Sequence, residues 1–339
     1  MQQMIINGRA VQVADHLTVY EAAQAAGIDI PVLCHRDGLH PSGGCGVCTV
    51  EDLATGRLLP SCASRADAAM RIETDTERVR AQRRIALELL LSNHPADCEA
   101  PCQMACPSGL PVPEMMRLVA DGQWEAAETR ARQYPITCEQ PLCEKACRRK
   151  PLGGAVAICA IHRLLAGGTQ TATVTGTKSL HTDKVRFRSR MTLPDEALLA
   201  LAREKGARTE WTEGEAFTSH HAQYEGARCL QCGCLKPGNC RLRDLCAATG
   251  ARQAAFAGER SAIVRDHDGR GFAFDSSRCV LCGICVRTAA TMKASIAPTF
   301  QGRGFGAQIT PPLGRTWGDV APDVLATCAA ACPTGAMHA

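Results

Sequence analysis

Twenty-one cysteines occur along this 339-residue chain, mostly in tight groups. The groups have C-x2-C, C-x3-C, C-x4-C and C-x-C spacings, and no cysteine occurs between Cys159 and Cys229. Soft thiolates in closely spaced groups bind zinc or iron–sulfur clusters in preference to hard cations. The large number of thiols favours iron–sulfur clusters. The sequence therefore predicts a protein that moves electrons.

The distribution of the cysteines argues against a secreted, disulfide-bonded scaffold. Residues 1–8 lack the charged start, apolar run and cleavage site of a signal peptide, and tight thiol groups are typical of metal sites in a reducing cytoplasm. We expect a cytoplasmic chain with no membrane span, because no run reaches the roughly 18 apolar residues that one needs. The net charge of +4 is too mild to indicate nucleic-acid binding.

Two cysteine stretches in the middle of the chain are its most informative feature. Neither stretch can build a metal site alone. Helices predicted over 113–120 and 124–132 allow the chain to turn back, so that the two stretches can meet. The first offers an imidazole and three thiols and the second offers three thiols: His94, Cys98, Cys102 and Cys106, then Cys138, Cys143 and Cys147.

A small module is predicted at the start of the chain. Two β-prone runs flank Asn7 and Gly8, a pair typical of a hairpin turn. A helix over 19–26 is predicted by the capping box of Thr18 and Glu21. Glycines then surround the second and third of four cysteines, which lets backbone N–H groups approach an anionic cluster. The four thiols are Cys34, Cys45, Cys48 and Cys62.

The hairpin, helix, glycine-rich cysteine loop and distant fourth cysteine resemble the β-grasp [2Fe-2S] ferredoxin domain. The spacing is similar to that of the domain opening the large iron–sulfur subunit of respiratory complex I and of related hydrogenases and formate dehydrogenases, rather than to the plant type. The resemblance implies a [2Fe-2S] cluster on these four cysteines, with zinc as the alternative. A helix predicted over 77–91 connects this module to the next.

The central region combines two resemblances. Its start resembles the complex I subunit, in which a His followed after three residues by a Cys begins a His/Cys3-ligated [4Fe-4S] site. The later cysteines and the helical pair resemble the cluster domain of the glutamate synthase small subunit and of dihydropyrimidine dehydrogenase. There, two [4Fe-4S] clusters each draw ligands from both cysteine stretches. The resemblances imply one cluster on His94, Cys98, Cys102 and Cys147.

The second cluster of this domain has an open fourth ligand. The resemblance assigns Cys106, Cys138 and Cys143 to it. In the family, the position three residues after the one matching Cys159 can supply a non-Cys ligand, which here is His162, whereas Cys159 is chemically simpler. On a helix both side chains could face the cluster, so both stay candidates.

Five further cysteines fall within eighteen residues. Their C-x2-C-x-C-x5-C spacing is unlike the two separated knuckles of a structural zinc site. It is similar to the extra cluster segment of some glutamate-synthase-like flavoproteins, and this resemblance implies another [4Fe-4S] cluster, with zinc as the alternative. Cys246 is either surplus or an alternative to Cys240. The implied ligands are Cys229, Cys232, Cys234 and Cys240.

The C-terminal cysteines resemble the two ends of a bacterial ferredoxin or of the complex I cluster pair. In that motif the cysteine before a proline serves the cluster begun by the other half. A two-cluster version needs further cysteines where this chain has Ala289, Pro322 and Leu325, so we expect one [4Fe-4S] cluster and an orphan thiol at Cys328. The implied ligands are Cys279, Cys282, Cys285 and Cys332.

These features predict a modular α+β chain: a β-grasp [2Fe-2S] ferredoxin domain, a helical bis-[4Fe-4S] domain, a Cys-rich segment and a ferredoxin-like [4Fe-4S] domain. Residues 166–177 are predicted to form a small-residue linker or an extended arm. The basic run 184–190 that follows is either a solvated surface or a docking strip for an acidic partner, and a helix is predicted near 194–205. The expected segments are the [2Fe-2S] domain (1–75), a linker helix (76–92), the helical two-cluster domain (93–166), a linker (167–210), the Cys-rich segment (211–258) and the ferredoxin-like domain (259–339).

No motif of a catalytic domain is found. The chain has no strand-linked G-x-G-x-x-G and no G-x4-G-K-[ST], so we expect no flavin or nicotinamide site in it and no catalysis by the chain alone. The expected cofactors are one [2Fe-2S] cluster and about four [4Fe-4S] clusters.

The functional hypothesis is an electron-relay subunit of a soluble, multi-subunit oxidoreductase. By resemblance, its partners are a flavoprotein of the NAD(P)H-dehydrogenase type and a separate catalytic or ferredoxin-linked subunit of hydrogenase, formate dehydrogenase, transhydrogenase or reductase type. Two alternatives come from other classes: a cluster-based redox sensor or regulator, and a zinc-binding interaction scaffold.

Overall fold

The structure, a computed structural model, contains two compact units, Met1–Pro95 with Asn239–Ala339 and Ala96–Gly238. The basic run 184–190 lies outside the described residues, as does most of the predicted linker and of the helix near 194–205. The residues that the structure describes are 2–94, 98–167, 199, 202–208, 216–234, 240–256, 261, 263–268 and 270–339.

A five-stranded sheet of order β2-β1-β5-β3-β4 opens the first unit. The hairpin predicted around Asn7 and Gly8 is confirmed: both residues have positive φ (49° and 73°), and the flanking strands pair antiparallel. Strand β5 (Arg71–Glu73) is central in this sheet, where it pairs parallel to β1 (Gln2–Ile6) and antiparallel to β3 (Thr49–Asp52). The strands are β1 Gln2–Ile6, β2 Arg9–Val13, β3 Thr49–Asp52, β4 Arg57–Pro60 and β5 Arg71–Glu73.

Helix α1 (Val19–Ala25) packs on this sheet, and its predicted capping box is confirmed. The Thr18 hydroxyl accepts a hydrogen bond from the Glu21 N–H, while the Glu21 carboxylate accepts one from the Thr18 N–H. The buried face of α1 joins Met4 and Ile6 of β1 in one hydrophobic core. The helix therefore closes one side of the sheet, over a core that also includes the buried Cys48 and Cys62.

Helix α2 (Glu77–Ser92) matches the predicted connecting helix, with Thr76 as its N-cap. The buried Arg83 guanidinium donates two hydrogen bonds, of 2.8 and 3.1 Å, to the Thr49 carbonyl of β3. Helix α9 (Arg241–Thr249) packs against α2 within the same unit. These contacts tie α2 to the sheet and to the C-terminal half of the unit.

The C-terminal part of the first unit has small sheets and two helices. Its core contains Trp317, which stacks between Phe272 and Phe274 at ring-centroid distances of 5.0 and 5.2 Å. One sheet has the order β10-β7-β6, and β8 and β9 form a hairpin. The elements are β6 Arg265–His267, β7 Ala273–Asp275, α10 Ile284–Thr291, β8 Thr299–Gln301, β9 Gln308–Thr310, α11 Pro322–Ala331 and β10 Met337–His338.

The described part of the second unit is helical, and the predicted helical pair is confirmed. Helices α4 (Val112–Ala120) and α8 (Ser219–Ala227) pack so closely that a Cβ on Gly226 of α8 would lie 2.9 Å from the Met116 carbonyl oxygen of α4. Among the described residues, no helix of either unit is long and apolar enough to span a bilayer. The helices are α3 Pro101–Ala105, α4 Val112–Ala120, α5 Trp124–Arg132, α6 Leu142–Lys145, α7 Ile158–Ala166 and α8 Ser219–Ala227.

Candidate metal centres

The structure brings the four N-terminal cysteines together in the first unit. The sulfur atoms of Cys48 and Cys62 lie 3.3 Å apart, and Ser42 donates a hydrogen bond of 3.3 Å to the sulfur of Cys34. Hydrogen bonds from the thiols of Cys45 and Cys62 lower the pKa of Cys34 well below its ordinary value, and these bonds raise the pKa values of Cys45 and Cys62. Four convergent thiols form a donor set that suits iron, whose charge would compensate the thiolates.

Strands β3 and β4 position half of this group. Cys48 directly precedes β3 and Cys62 lies two residues beyond β4, so the antiparallel hairpin places the two thiols side by side. The Ser61 hydroxyl also donates a 2.8 Å hydrogen bond to the Cys48 carbonyl. The loop beside Cys45 uses Gly46 at φ +70°, where a Cβ would lie 3.1 Å from the Cβ of Ala86. A larger residue would therefore be strained there.

The four predicted C-terminal ligands line one apolar cavity. They are Cys279, Cys282, Cys285 and Cys332. Burial raises the pKa of Cys279 and of Cys282 to about 12 in each case. The N–H of Leu281 points to the Cys279 sulfur at 3.4 Å. A cavity with four thiols and apolar walls excludes water, and such surroundings tune the potential of a cluster.

A cluster of charged side chains, centred just before Cys279 in the chain, stabilises its loop. The Asp275 carboxylate accepts hydrogen bonds from Arg265 at 3.0 Å and Ser277 at 3.0 Å and pairs with Arg278 at 3.1 Å. Burial alone would raise the pKa of Asp275, but the guanidinium of Arg278, then that of Arg265, lowers it below its ordinary value. The Thr334 hydroxyl donates to the Arg278 carbonyl at 2.7 Å, which fixes the loop beside Cys332.

Arg287 of α10 joins the two cysteine loops of the first unit. Its guanidinium donates to the carbonyl oxygens of Cys34 at 2.6 Å, His40 at 2.7 Å and Cys282 at 3.1 Å. Nearby, Cys34, Cys45 and Cys282 line a shared cavity. No sequence pattern indicated this arginine, because its partners are backbone carbonyls in loops far apart along the chain.

In the second unit, a further group contains four thiols. Cys143 and Cys159 lie 3.6 Å apart, and Cys138 and Cys106 are close enough to affect their neighbours' ionisation. A hydrogen bond with the Cys143 thiol lowers the pKa of Cys159, and the smaller effect of burial raises it. The net result is a pKa of about 7 for Cys159. The N–H of Cys159 donates to the Glu144 carboxylate at 3.0 Å. The structure thus places Cys159 with the three predicted partners.

His162 lies one turn further along α7 and has a different environment. Its ring Nε2 lies 3.2 Å from the Ala131 carbonyl oxygen, to which it can donate a hydrogen bond. Burial lowers the pKa of His162 below its ordinary value. The ring therefore connects α7 to the end of α5, which is the ordinary role of a buried, hydrogen-bonded histidine.

A second group of thiols in this unit differs from the sets expected from the sequence. One apolar cavity is lined by four cysteines, one from each of the two central stretches and two from the later cysteine-rich segment. Burial, then the charges of Cys229, Cys232 and Cys147, raises the pKa of Cys102. The four cysteines of this cavity are Cys102, Cys147, Cys229 and Cys232.

The other expected ligands lie elsewhere. The His94 ring is buried in the first unit, where burial, then the charge of Arg278, lowers its pKa to about 4. In the second unit, the Cys98 carbonyl accepts a 3.3 Å hydrogen bond from the N–H of Cys234. Cys240 belongs to the first unit, where it is the N-cap of α9. The ligand sets that contain these residues stay predictions.

The sequence assigned two further cysteines to no cluster of their own: Cys246, as surplus or an alternative to Cys240, and Cys328. Cys246 is buried within α9. Cys328 is buried in α11, where its sulfur donates to the Cys285 carbonyl at 3.4 Å and burial raises its pKa to about 11. All 21 cysteines lie in the described part of the chain, and no disulfide joins any of them. No three metal-ligating side chains among the described residues converge closely enough to hold a single ion.

Comparison with known families assigns the first module. A model of the 2Fe-2S iron-sulfur cluster binding domain matches residues 3–77. This is the part of the chain in which four thiols converge beside a five-stranded sheet. The predicted [2Fe-2S] ferredoxin domain at the start of the chain is therefore confirmed.

Curated relatives extend the comparison to components of larger enzymes. The chain is 35% identical over 96 residues to the 78 kDa subunit of mitochondrial NADH-ubiquinone oxidoreductase from Candida albicans, covering 28% of this chain and 13% of the relative. It is 36% identical over 96 residues to iron-sulfur protein 1 of the mitochondrial NADH dehydrogenase (ubiquinone) of Solanum tuberosum, covering 28% of this chain and 13% of the relative. It is 35% identical over 98 residues to NADPH-Fe(3+) oxidoreductase subunit alpha of Geobacter sulfurreducens, covering 29% of this chain and 12% of the relative. The match thus spans about an eighth of each relative.

A solved structure resembles almost the whole fold. It is a chain of an NAD+-reducing [NiFe]-hydrogenase in the H2-reduced state, with a TM-score of 0.55 and 18% identity over 99% of this chain and 86% of that one. At this identity the likeness shows the fold alone. The predicted resemblance to the iron–sulfur subunits of complex I and of related hydrogenases is confirmed.

Proposed function

We propose that this chain is the iron–sulfur electron-relay subunit of a multi-subunit oxidoreductase. Support comes from its relatives, which are named as subunits of NADH-ubiquinone and NADPH-Fe(3+) oxidoreductases, and from its structural likeness to a chain of an NAD+-reducing hydrogenase. The proposed partners are a flavoprotein subunit of the NAD(P)H-dehydrogenase type and a separate catalytic or ferredoxin-linked subunit. The proposed cofactors are one [2Fe-2S] cluster and about four [4Fe-4S] clusters.

The donor sets fit such clusters. Iron–sulfur clusters, when bound, accept and release single electrons at potentials set by their surroundings. In this chain the thiols supply the ligands, and the apolar walls of the two cavities exclude water. The N–H groups of Gln231 and Leu281, each 3.4 Å from a cysteine sulfur, are placed to stabilise the thiolate charge.

The observation that carries the proposal is the junction at Arg287. Its guanidinium binds the Cys34 and Cys282 carbonyls together, and these cysteines belong to two different four-thiol groups. Cys34 and Cys282 also line the same cavity. Two neighbouring centres are what a relay requires, whereas a zinc scaffold or a single-cluster sensor has no need of them.

The test is the anaerobically purified full-length chain with its native partner subunits. We expect about 18 irons per chain, with matching sulfide. Low-temperature EPR during stepwise reduction should show a binuclear signal together with several cubane signals. The nicotinamide substrate should reduce these signals only when the flavoprotein subunit is present.

A pair of variants makes this test specific. Cys282→Ala should remove about four irons and one cubane signal. Cys328→Ala, beside the same centre but outside the ligand set, should leave the iron content unchanged. Zinc in place of iron, or iron centres that no partner can reduce, would overturn the relay. Clusters lost rapidly in air, with no flavoprotein retained, would favour a redox sensor instead.

A further inference from the structure

The cavity of the second unit has the features of a cluster site of its own. Four cysteines open into it among apolar residues such as Met116, Val156 and Ile158. The C-terminal cavity of the first unit also has four cysteines and apolar walls. The two cavities therefore match in number of thiols and in the character of their lining.

The two cavities also share a local loop geometry. In Cys229-Leu-Gln-Cys232, Gln231 has a φ of +49° and its N–H points to the Cys229 sulfur at 3.4 Å. In Cys279-Val-Leu-Cys282, Leu281 has a φ of +51° and its N–H points to the Cys279 sulfur at 3.4 Å. Positive φ is uncommon for residues other than glycine. A strained conformation persists where the surrounding structure and a functional site require it.

Buried contacts hold the Cys229 loop in the cavity wall. Arg228, which immediately precedes it, donates 2.8 Å hydrogen bonds to both carboxylate oxygens of Glu225. It also donates to the carbonyl oxygens of Gly153 and Gly154 at 2.6 and 2.9 Å. Both charged side chains are fully buried. The end of α8 is therefore fixed to the loop that leads into α7.

The segment after Cys232 packs directly on the first cysteine stretch. A Cβ on Gly233 would lie 2.9 Å from the Ala100 nitrogen, so no other residue fits there without a shift. Ala100 stands two residues before Cys102. The close approach of these two backbones brings the Cys229–Cys232 loop to the Cys102 side of the cavity.

We propose that Cys102, Cys147, Cys229 and Cys232 ligate a single [4Fe-4S] cluster. This inference rests on the proposed iron–sulfur function and specifies how one of its centres is built. It combines two thiols from the paired central stretches with the C-x2-C of the later segment. It replaces two of the ligand sets expected from the sequence with one, so the wild-type chain should bind about 14 irons rather than about 18. Because the ligands come from both ends of the second unit, this cluster joins those ends.

Double variants of the full-length chain distinguish this set from the alternatives. Cys102→Ala and Cys232→Ala should each lose about four irons and the same cubane EPR component. The double variant should lose no more iron than either single variant, because residues that act on one site are not additive. If the two residues served different clusters, the double variant would lose about eight irons and two components, which would overturn the proposal.

Two controls keep the result interpretable. Cys138→Ala combined with Cys232→Ala should lose about eight irons, since these residues belong to separate groups, and this shows that the assay resolves two losses. Cys234→Ala should retain the component that Cys232→Ala removes. Its disappearance would restore the ligand set expected from the sequence. The [2Fe-2S] signal serves as the folding control in every variant.

Different results would overturn this ligand set and the proposed function. A wild-type chain without reducible iron would overturn both. A wild-type chain with its full complement of iron, in which Cys102→Ala and Cys232→Ala remove different EPR components, would overturn the ligand set alone.

Discussion

In the first unit two of the four N-terminal thiols are buried in a core that a sheet and a helix build mainly from other apolar side chains, whereas in the second unit seven thiols lie in or against the helical core. The core around the five-stranded sheet contains two cysteines, Cys48 and Cys62, among fourteen buried residues. The helical core contains three buried cysteines, and four partly buried ones pack against it. Its helices are also short, at four to nine residues, and helices of this length are marginal without tertiary support. The two modules should therefore depend on iron to different degrees.

Removal of iron should have the largest effect and should separate the two regions. We expect an anaerobic chelator to unfold much of residues 98–167, because cavities lined with thiols would lose the bound groups that bridge the helices. Residues 2–76 should retain their fold. Hydrogen exchange followed by mass spectrometry on the iron-depleted chain would show fast exchange in the helical region and protection in the sheet. Equal loss of protection in both regions would show that the two modules depend on iron to the same degree.

The second prediction concerns the fourth ligand of the centre at Cys106, Cys138 and Cys143. Cys159→Ala should lose about four irons and one cubane signal, because its sulfur lies 3.6 Å from that of Cys143. His162→Asn should keep the iron and cost about 1–3 kcal/mol of stability through the unsatisfied Ala131 carbonyl. Iron analysis and thermal unfolding would check both variants. The reverse pattern, with iron lost only in His162→Asn, would make the histidine the ligand.

The sequence predicted local structure well and non-local grouping poorly. The hairpin at Asn7 and the capping box at Thr18 depend on residues a few positions apart, and both were predicted correctly. The C-x2-C of Cys229 indicated a ligand pair by its spacing. Its association with Cys147 depends on how α8 packs, and that packing depends on one glycine and one buried ion pair. No periodicity or spacing in the chain records such a contact.

The third prediction tests the junction in the first unit. Arg287→Gln should cost about 1.5–3 kcal/mol, because hydrogen bonds from a charged donor to the partly buried Cys34 and Cys282 carbonyls are lost. It should also weaken the magnetic coupling between the binuclear and C-terminal centres without loss of iron. The matched control is Arg80→Gln, since Arg80 forms an exposed pair with Asp75 at 3.0 Å and such pairs contribute about 0–1 kcal/mol. Unchanged coupling in Arg287→Gln would show that the arginine only holds the loops.

The smallest expected effect tests whether the sheet module is stable independently of its thiols. Thr18→Ala removes the side-chain half of the capping box, in which the Thr18 hydroxyl accepts a 3.2 Å hydrogen bond from the Glu21 N–H. The loss of such a cap costs about 1 kcal/mol. The first turn of α1 contacts the Cys62 loop through the backbone N–H groups of Val19 and Tyr20, which donate to the Ser64 and Ser61 carbonyls. Because the substitution keeps these backbone bonds, the [2Fe-2S] signal and the iron content should not change. Denaturant unfolding followed at the first module would measure the cost. A loss of iron from this variant would show instead that the sheet and its thiols fold as one unit, as we expect only of the helical region.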